Sequence, residues 1–376
     1  MPHPSEQDRE LLRRGAHTMT VCNACRYCEQ YCPVFPAMEE RLTFGKADLA
    51  YLANLCHNCG ECLYACQFAP PHEFAIDVPR VFAQLRLRTY EDYCWPAFMA
   101  GAFRRHRASA ALALSSFFSL VLLASVLMRD AGALWRAHGA GEFYAVLSHD
   151  VLVVLFGGVS TFALLACAVG TARCWREIRG GAPKPLNAAA ILVAVRDALT
   201  LRHLHASGAD CTRAEEERTP WRRYFHHFTF YGFACCFAST TVAAIYHTVF
   251  AWIAPYGYAS LPVLLGAAGG IGLVVGPVGL LVTRRRQDPA LRDPAQSGMD
   301  EGLLVLLLLV SATGLALLGW RESAAMPVLL LVHLGAVLAL FVTLPYGKFV
   351  HGIYRTVALV NSAHESRAPA QKNGAG

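Results

Sequence analysis

Charge is scarce in this 376-residue chain: Asp, Glu, Lys and Arg make up 16% of it, against 55% hydrophobic residues. That balance excludes an ordinary soluble domain, in which about a quarter of the residues are charged. The N-terminus, MPHPSEQDRELLRRG, is polar, has no apolar core segment, and does not resemble a secretory signal. The fourteen cysteines are therefore expected in a reducing compartment rather than in a disulfide scaffold. Neither cysteine-rich run shows the two separated CxxC pairs of structural zinc. A GxGxxG dinucleotide fingerprint is also missing. No internal repeat is evident beyond those two runs.

What is present begins with the runs themselves. CNACRYCEQYCP (Cys22 to Pro33) and CHNCGECLYAC (Cys56 to Cys66) share the spacing C-x2-C-x2-C-x3-C. Three thiolates within seven residues can wrap one cubane, while the following backbone carries the fourth to the other cluster. Crossed ligation predicts one 4Fe–4S centre on Cys22, Cys25, Cys28 and Cys66, and another on Cys56, Cys59, Cys62 and Cys32. Gln67 stands where the first run has Pro33, which loosens a turn but removes no ligand. No substrate-binding motif accompanies the runs, so two clusters here read as a wire rather than a catalyst. Cys94, Cys167, Cys174, Cys211, Cys235 and Cys236 have no ligand spacing and are read as packing residues.

An all-α chain is expected: an N-terminal two-cluster domain over 1–106, a six-helix transmembrane domain over 107–360 and a disordered tail over 361–376. A membrane helix needs about 20 largely apolar residues. Six stretches meet or approach that length: 108–128, 149–172, 225–253, 261–283, 302–320 and 327–346. Ten Lys and Arg fall between Arg173 and Arg223 and four between Arg284 and Glu301, whereas the opposite side holds Arg129, Arg136 and Arg321. The asymmetry places both termini and the 173–224 loop in the cytoplasm. Within that loop, NAAAILVAVRDALTLRHLHA suits a helix lying at the interface or against the soluble domain. The Gly-rich GAAGGIGLVVGPVG admits two readings, a broken helix or close helix packing.

Histidines recur in or beside the apolar stretches: His149, His226, His227, His247, His333 and His351. Imidazoles in hydrocarbon are costly and functional by default, although a single one such as His149 can be a helix-end residue. His333 and His351 are spaced by a whole number of turns, with Pro345 and Gly347 expected to interrupt the helix between them. Depth from the topology gives two facing pairs, His226 or His227 with His351, and His247 with His333. Bis-histidine haem b between helices needs that arrangement, so one haem is expected and a second is the further expectation. Helical phase with His247 favours His226. Arg222, Arg223, Lys348 and Arg355 are read either as partners of haem propionates or as positive-inside anchors.

The segment Pro33 to Leu55, with EFAIDVPRVFAQLRLR after the second run, resembles the α-helical ferredoxin module of fumarate reductase and heterodisulfide reductase relatives. The last helix, LVHLGAVLALFVTLPYGKFVHGIYR, is similar to the final helix of the γ subunit of respiratory nitrate reductase and related membrane cytochromes b. There a His and a later P-x-x-K/R-x-V-H supply haem ligands, which the resemblance carries onto His333 and His351. Those cytochromes have a further His on the partner helix where this chain has Phe237. Over nearly its whole length the chain resembles the tricarballylate (citrate) utilisation protein B family, through the cysteine runs, RDALTLRHL, RRYFHHFTFYGF, CFASTTVAAIYHTVF and LPYGKFVHGIYR.

This resemblance implies a multi-pass protein of the bacterial inner membrane that reoxidises the reduced FAD of a tricarballylate dehydrogenase-like partner flavoprotein. Electrons would pass through the two clusters and haem b to membrane quinone, which makes the chain an electron-transfer subunit rather than a substrate-converting enzyme. The resemblance also ranks His227 ahead of His226. Its implied partners are the flavoprotein, quinone and the lipid bilayer, and no nucleic acid. Two other classes stay open, a cluster-bearing redox-regulated transporter or sensor, and a haem-free anchor for a ferredoxin domain.

Overall fold

A computed structural model describes residues 5–136, 143–180, 187–204 and 220–367. Among these residues the chain forms helices and no strand. Five helices build the N-terminal module: α1 (Glu6–Cys25), α2 (Val34–Glu39), α3 (Lys46–Leu55), α4 (Glu61–Tyr64) and α5 (Val78–Tyr93). A capping box starts α1, the Asp8 N–H donating to Ser5 Oγ at 3.1 Å and the Ser5 N–H to the Asp8 carboxylate at 3.0 Å. Asp77 caps α5 by accepting from the Arg80 N–H at 3.0 Å, and Pro79 sits in the first turn, where a missing amide costs nothing. The apolar faces of these helices meet in one core around Met19, Leu49, Leu52, Leu55, Phe82 and Leu85.

The short α6 (Ala102–Arg105) leads into α7 (Ala108–Asp130), α8 (Phe143–Val146), α9 (His149–Ile178), α10 (Ala188–Leu199), α11 (Trp221–Phe250), α12 (Leu261–Arg285), α13 (Pro294–Gly319) and α14 (Met326–Thr343). Six of these (α7, α9, α11, α12, α13 and α14) are long and apolar enough to cross a membrane. They form the transmembrane bundle. The Gly-rich stretch lies in an unbroken α12. A Cβ at Gly232 would stand 3.0 Å from the Gly269 carbonyl oxygen, and one at Gly269 would stand 2.8 Å from that of Gly232. Those glycines serve close approach of α11 and α12, not a break.

Pro345 and Gly347 do interrupt the last apolar run. A single 3-10 turn over Leu344–Tyr346 follows α14, and α15 (Val350–Glu365) then enters the core of the N-terminal module. Val350, Tyr354, Val357, Ala358 and Leu359 form its buried face. Burying Val350 or Leu359 contributes about 1.5–3 kcal/mol each. Glu365 fastens the far end, accepting from Arg41 at 2.8 Å and from the Tyr51 hydroxyl at 3.0 Å. The segment from 361, expected as a disordered tail, thus begins as helix through Glu365, because its turn is held by α3 and Arg41. Residues 368–376 lie outside the described residues.

Helix α10 packs along α15 and buries Ala190 and Ala194, while Leu192 stays exposed. The N-terminal module, α10 and α15 therefore gather at one end of the bundle. Cys94, Cys167 and Cys174 are buried in apolar packing and Cys235 and Cys236 are half-buried, while Cys211 lies outside the described residues.

Candidate metal centres and the cleft that joins them

The structure brings the two cysteine runs together in two mixed sets. Cys22, Cys25, Cys28 and Cys66 line one hollow, walled also by Tyr27 and Phe68. Cys32, Cys56, Cys59 and Cys62 line a second hollow beside it, with Cys62 reaching the wall of both. Local backbone makes this wrapping feasible: Arg26 and Asn58 adopt left-handed conformations with φ 55°, and Gly60 has φ 84°. The Asn58 N–H also donates to Cys56 Sγ at 3.4 Å.

The thiols also press on one another within and between the two sets. Burial, reinforced by Cys66, Cys28 and Cys25, pushes the Cys22 thiol up to about 12. Burial, then Cys59, Cys56 and Cys32, holds the Cys62 thiol well above its ordinary range. Four thiolates so placed repel one another unless a cationic core sits among them, which is the donor set a cubane takes. Among the described residues no three His, Cys, Asp or Glu side chains are arranged to hold a single metal ion.

Between the second set and the membrane helices lies a cleft with about 1130 Å³ of unfilled space, counting its open mouth. His57 and Asn58 reach it from the cysteine loop, His226 from α11, and Lys348, His351 and Arg355 from the start of α15. The rings of His226 and His351 are neighbours, tilted by 49° with centroids 6.0 Å apart. That gap takes one metal atom between two imidazoles, at about 2 Å per metal–nitrogen bond. His351 Nδ1 is hydrogen-bonded to the Lys348 carbonyl. A carbonyl only accepts, so Nδ1 carries the proton and Nε2 keeps its lone pair for a metal. His226 leaves Nδ1 buried with no partner among the described residues, as His227 and His247 also do, but of these three rings only that of His226 stands beside His351. These two residues fit a haem ligand pair.

His227, which the resemblance ranked first, is not in this pair. Its ring stacks on Tyr231 at 5.7 Å and 11°. One residue along a helix is a rotation of about 100°, and that step turns His227 off the face on which His226 meets His351. The expected outer pair is not brought together either. His247 stacks on His149, the first residue of α9, at 4.1 Å and 27°, with Tyr144 edge-on to both rings. His333 instead engages Thr313 Oγ1 of α13 through Nδ1 at 3.1 Å. Since that hydroxyl donates to the Leu309 carbonyl at 2.7 Å, it accepts from His333.

The cations expected near haem propionates have other partners. Arg223 donates to the Thr200 carbonyl at 2.9 Å, and Lys348 pairs with Asp300 at 2.7 Å. Arg222 donates to the carbonyls of His57 and Asn58, each at 3.0 Å, and Arg355 to that of Cys56 at 2.9 Å. Arg86 was missed by the sequence reading. It is 1% exposed and donates to the carbonyls of Ala53 at 3.1 Å and Cys56 at 2.9 Å. Its signal was there, an arginine on the apolar face of VFAQLRLR.

A helical module with two four-cysteine sets, seated on a six-helix transmembrane bundle, defines a membrane-anchored protein with an N-terminal ferredoxin-like domain. Residues 104–372 match the family model described as Citrate utilization protein B, and residues 15–92 match the one described as Citrate utilization protein B Fer4-like domain. Citrate utilization protein B of Escherichia coli is 50% identical over 373 residues, spanning 99% of this chain and 96% of that protein. The chain belongs to the citrate utilization protein B family. No solved structure matches it.

Proposed function

We propose that this chain takes electrons from the reduced FAD of a soluble tricarballylate dehydrogenase-like flavoprotein and delivers them to membrane quinone, in the service of citrate or tricarballylate utilisation. Two 4Fe–4S clusters and a b-type haem, when bound, supply one-electron storage between a two-electron donor and a two-electron acceptor. Cys22, Cys25, Cys28 and Cys66 would hold one cluster, Cys32, Cys56, Cys59 and Cys62 the other, and His226 with His351 the haem. A second haem on the outer side would need the His247 ring to leave its stack on His149 and reach His333.

One observation carries the proposal. Each helix with a cleft imidazole also carries, one turn away, an arginine that grips the cysteine loop: Arg222 before His226 on α11, and Arg355 after His351 on α15. The same two turns thus bind the second cysteine set to the imidazole pair. His57 and Asn58 line both the cleft and the hollow of the second set, whereas no residue lining the first hollow also lines the cleft. Electrons are therefore received at the first set and leave from the second. The proposed orientation puts the N-terminal module, α10 and α15 on the cytoplasmic face of the bacterial inner membrane, following the basic residues between Arg173 and Arg223 and between Arg284 and Glu301.

Dithionite-reduced membranes containing the protein are expected to show a sharp b-type α band above the background of membranes without it. Iron–sulfur absorption with no such band sinks the haem and leaves a ferredoxin anchor.

A further inference from the structure

Three guanidinium groups from three helices converge on one short piece of backbone. Arg86 of α5, Arg222 of α11 and Arg355 of α15 donate to the carbonyls of Ala53, Cys56, His57 and Asn58 at 2.9–3.1 Å. Neither Arg86 nor Arg355 has a carboxylate partner among the described residues, and Arg86 is 1% exposed. A buried cation without a counter-charge is strongly unfavourable. Carbonyl dipoles answer part of that charge; Asp300, which lines the same cleft, is already paired with Lys348 and Arg284, and thiolates on the gripped loop can answer more of it. The first set has a different environment. Its loop carries the exposed Arg26, which donates through Nε to the Asn23 carbonyl at 3.1 Å, and water screens an exposed charge.

We propose that Arg86, Arg222 and Arg355 are positioning residues that hold the reduction potential of the Cys32, Cys56, Cys59 and Cys62 centre above that of the Cys22, Cys25, Cys28 and Cys66 centre. This rests on the cluster reading above. Adding an electron makes a thiolate-bound centre more negative, so fixed cations in a low-dielectric setting stabilise the reduced form more than the oxidised one. The centre facing His226 and His351 then becomes the resting place of the electron. The clamp gives the wire its direction.

The test is a redox titration of the purified, full-length protein in detergent, followed by the electron paramagnetic resonance signals of the reduced clusters. Arg355→Gln is expected to move one midpoint negative by about tenfold in equilibrium constant, which is 59 mV for one electron, and to leave the other in place. Arg355→Lys, which keeps the charge, is expected to recover most of the shift, and Arg26→Gln to move neither midpoint by that amount. Equal shifts of both centres, no shift, or no recovery with Lys overturns the clamp. A wild-type protein without two such signals sinks the cluster reading instead.

Discussion

His351→Ala is expected to remove one b-haem from the protein and to stop quinone reduction while both clusters remain reducible. The Lys348 carbonyl fixes the His351 proton on Nδ1 and leaves the Nε2 lone pair free for the proposed metal. An alanine supplies neither. Losing a partner that merely orients a metal ligand costs about 10–100-fold in affinity or activity, so losing the ligand itself should cost at least about 100-fold in quinone reduction. His226→Ala is expected to match it, because in the proposed site its ring, 6.0 Å from that of His351, would serve the same metal. His227→Ala should be mild, since that ring stacks on Tyr231 away from the cleft. Reduced-minus-oxidised spectra of membranes check all three. A full haem spectrum with normal quinone reduction in His351→Ala would make this histidine a helix-end residue.

Cys22→Ser and Cys66→Ser are expected to be equivalent despite lying in different runs. Each should lower bound iron and acid-labile sulfide by about half and abolish the same resonance signal. The double variant should be no worse than either single one, as residues serving one site are not additive. Cys32→Ser and Cys56→Ser should remove the other centre. The contrary pattern, in which Cys22 and Cys32 behave as one group and Cys56 and Cys66 as another, would mean that each run wraps its own centre. Iron analysis of the purified variants separates the two outcomes.

Cysteine spacing and apolar length were legible in the sequence because both are local properties. C-x2-C-x2-C-x3-C is fixed within one short stretch of backbone, and a membrane span is a count of apolar residues. The histidine pairs were harder. Depth along a helix says how far into the bundle a ring lies and nothing about its direction. His226 was favoured by phase, and the structure places it against His351, whereas the family resemblance pointed to His227. Depth equally allowed His247 with His333, yet neighbours on other helices took both rings: His149 for one and Thr313 for the other. The arginine grip on residues 53–58 joins helices far apart in the chain, so no local pattern announces it. Helix α15 shows the converse case. Its buried positions 350, 354, 357 and 358 were readable as one face, but the polar residues around Ser362 suggested a tail, and only the Arg41 and Tyr51 contacts explain why the helix continues to Glu365.

The central claim is that electrons pass from a reduced flavoprotein to quinone by way of the His226 and His351 site. The most direct measurement is anaerobic and uses membranes carrying the full-length protein. The reduced, FAD-loaded partner is added first and a short-chain quinone second, while the b-type α band is followed in time. The account predicts that the band rises after the flavoprotein and collapses after the quinone, and that neither change occurs with His351→Ala. A wild-type protein whose clusters are reduced and then reoxidised by quinone with no change in the band would contradict it.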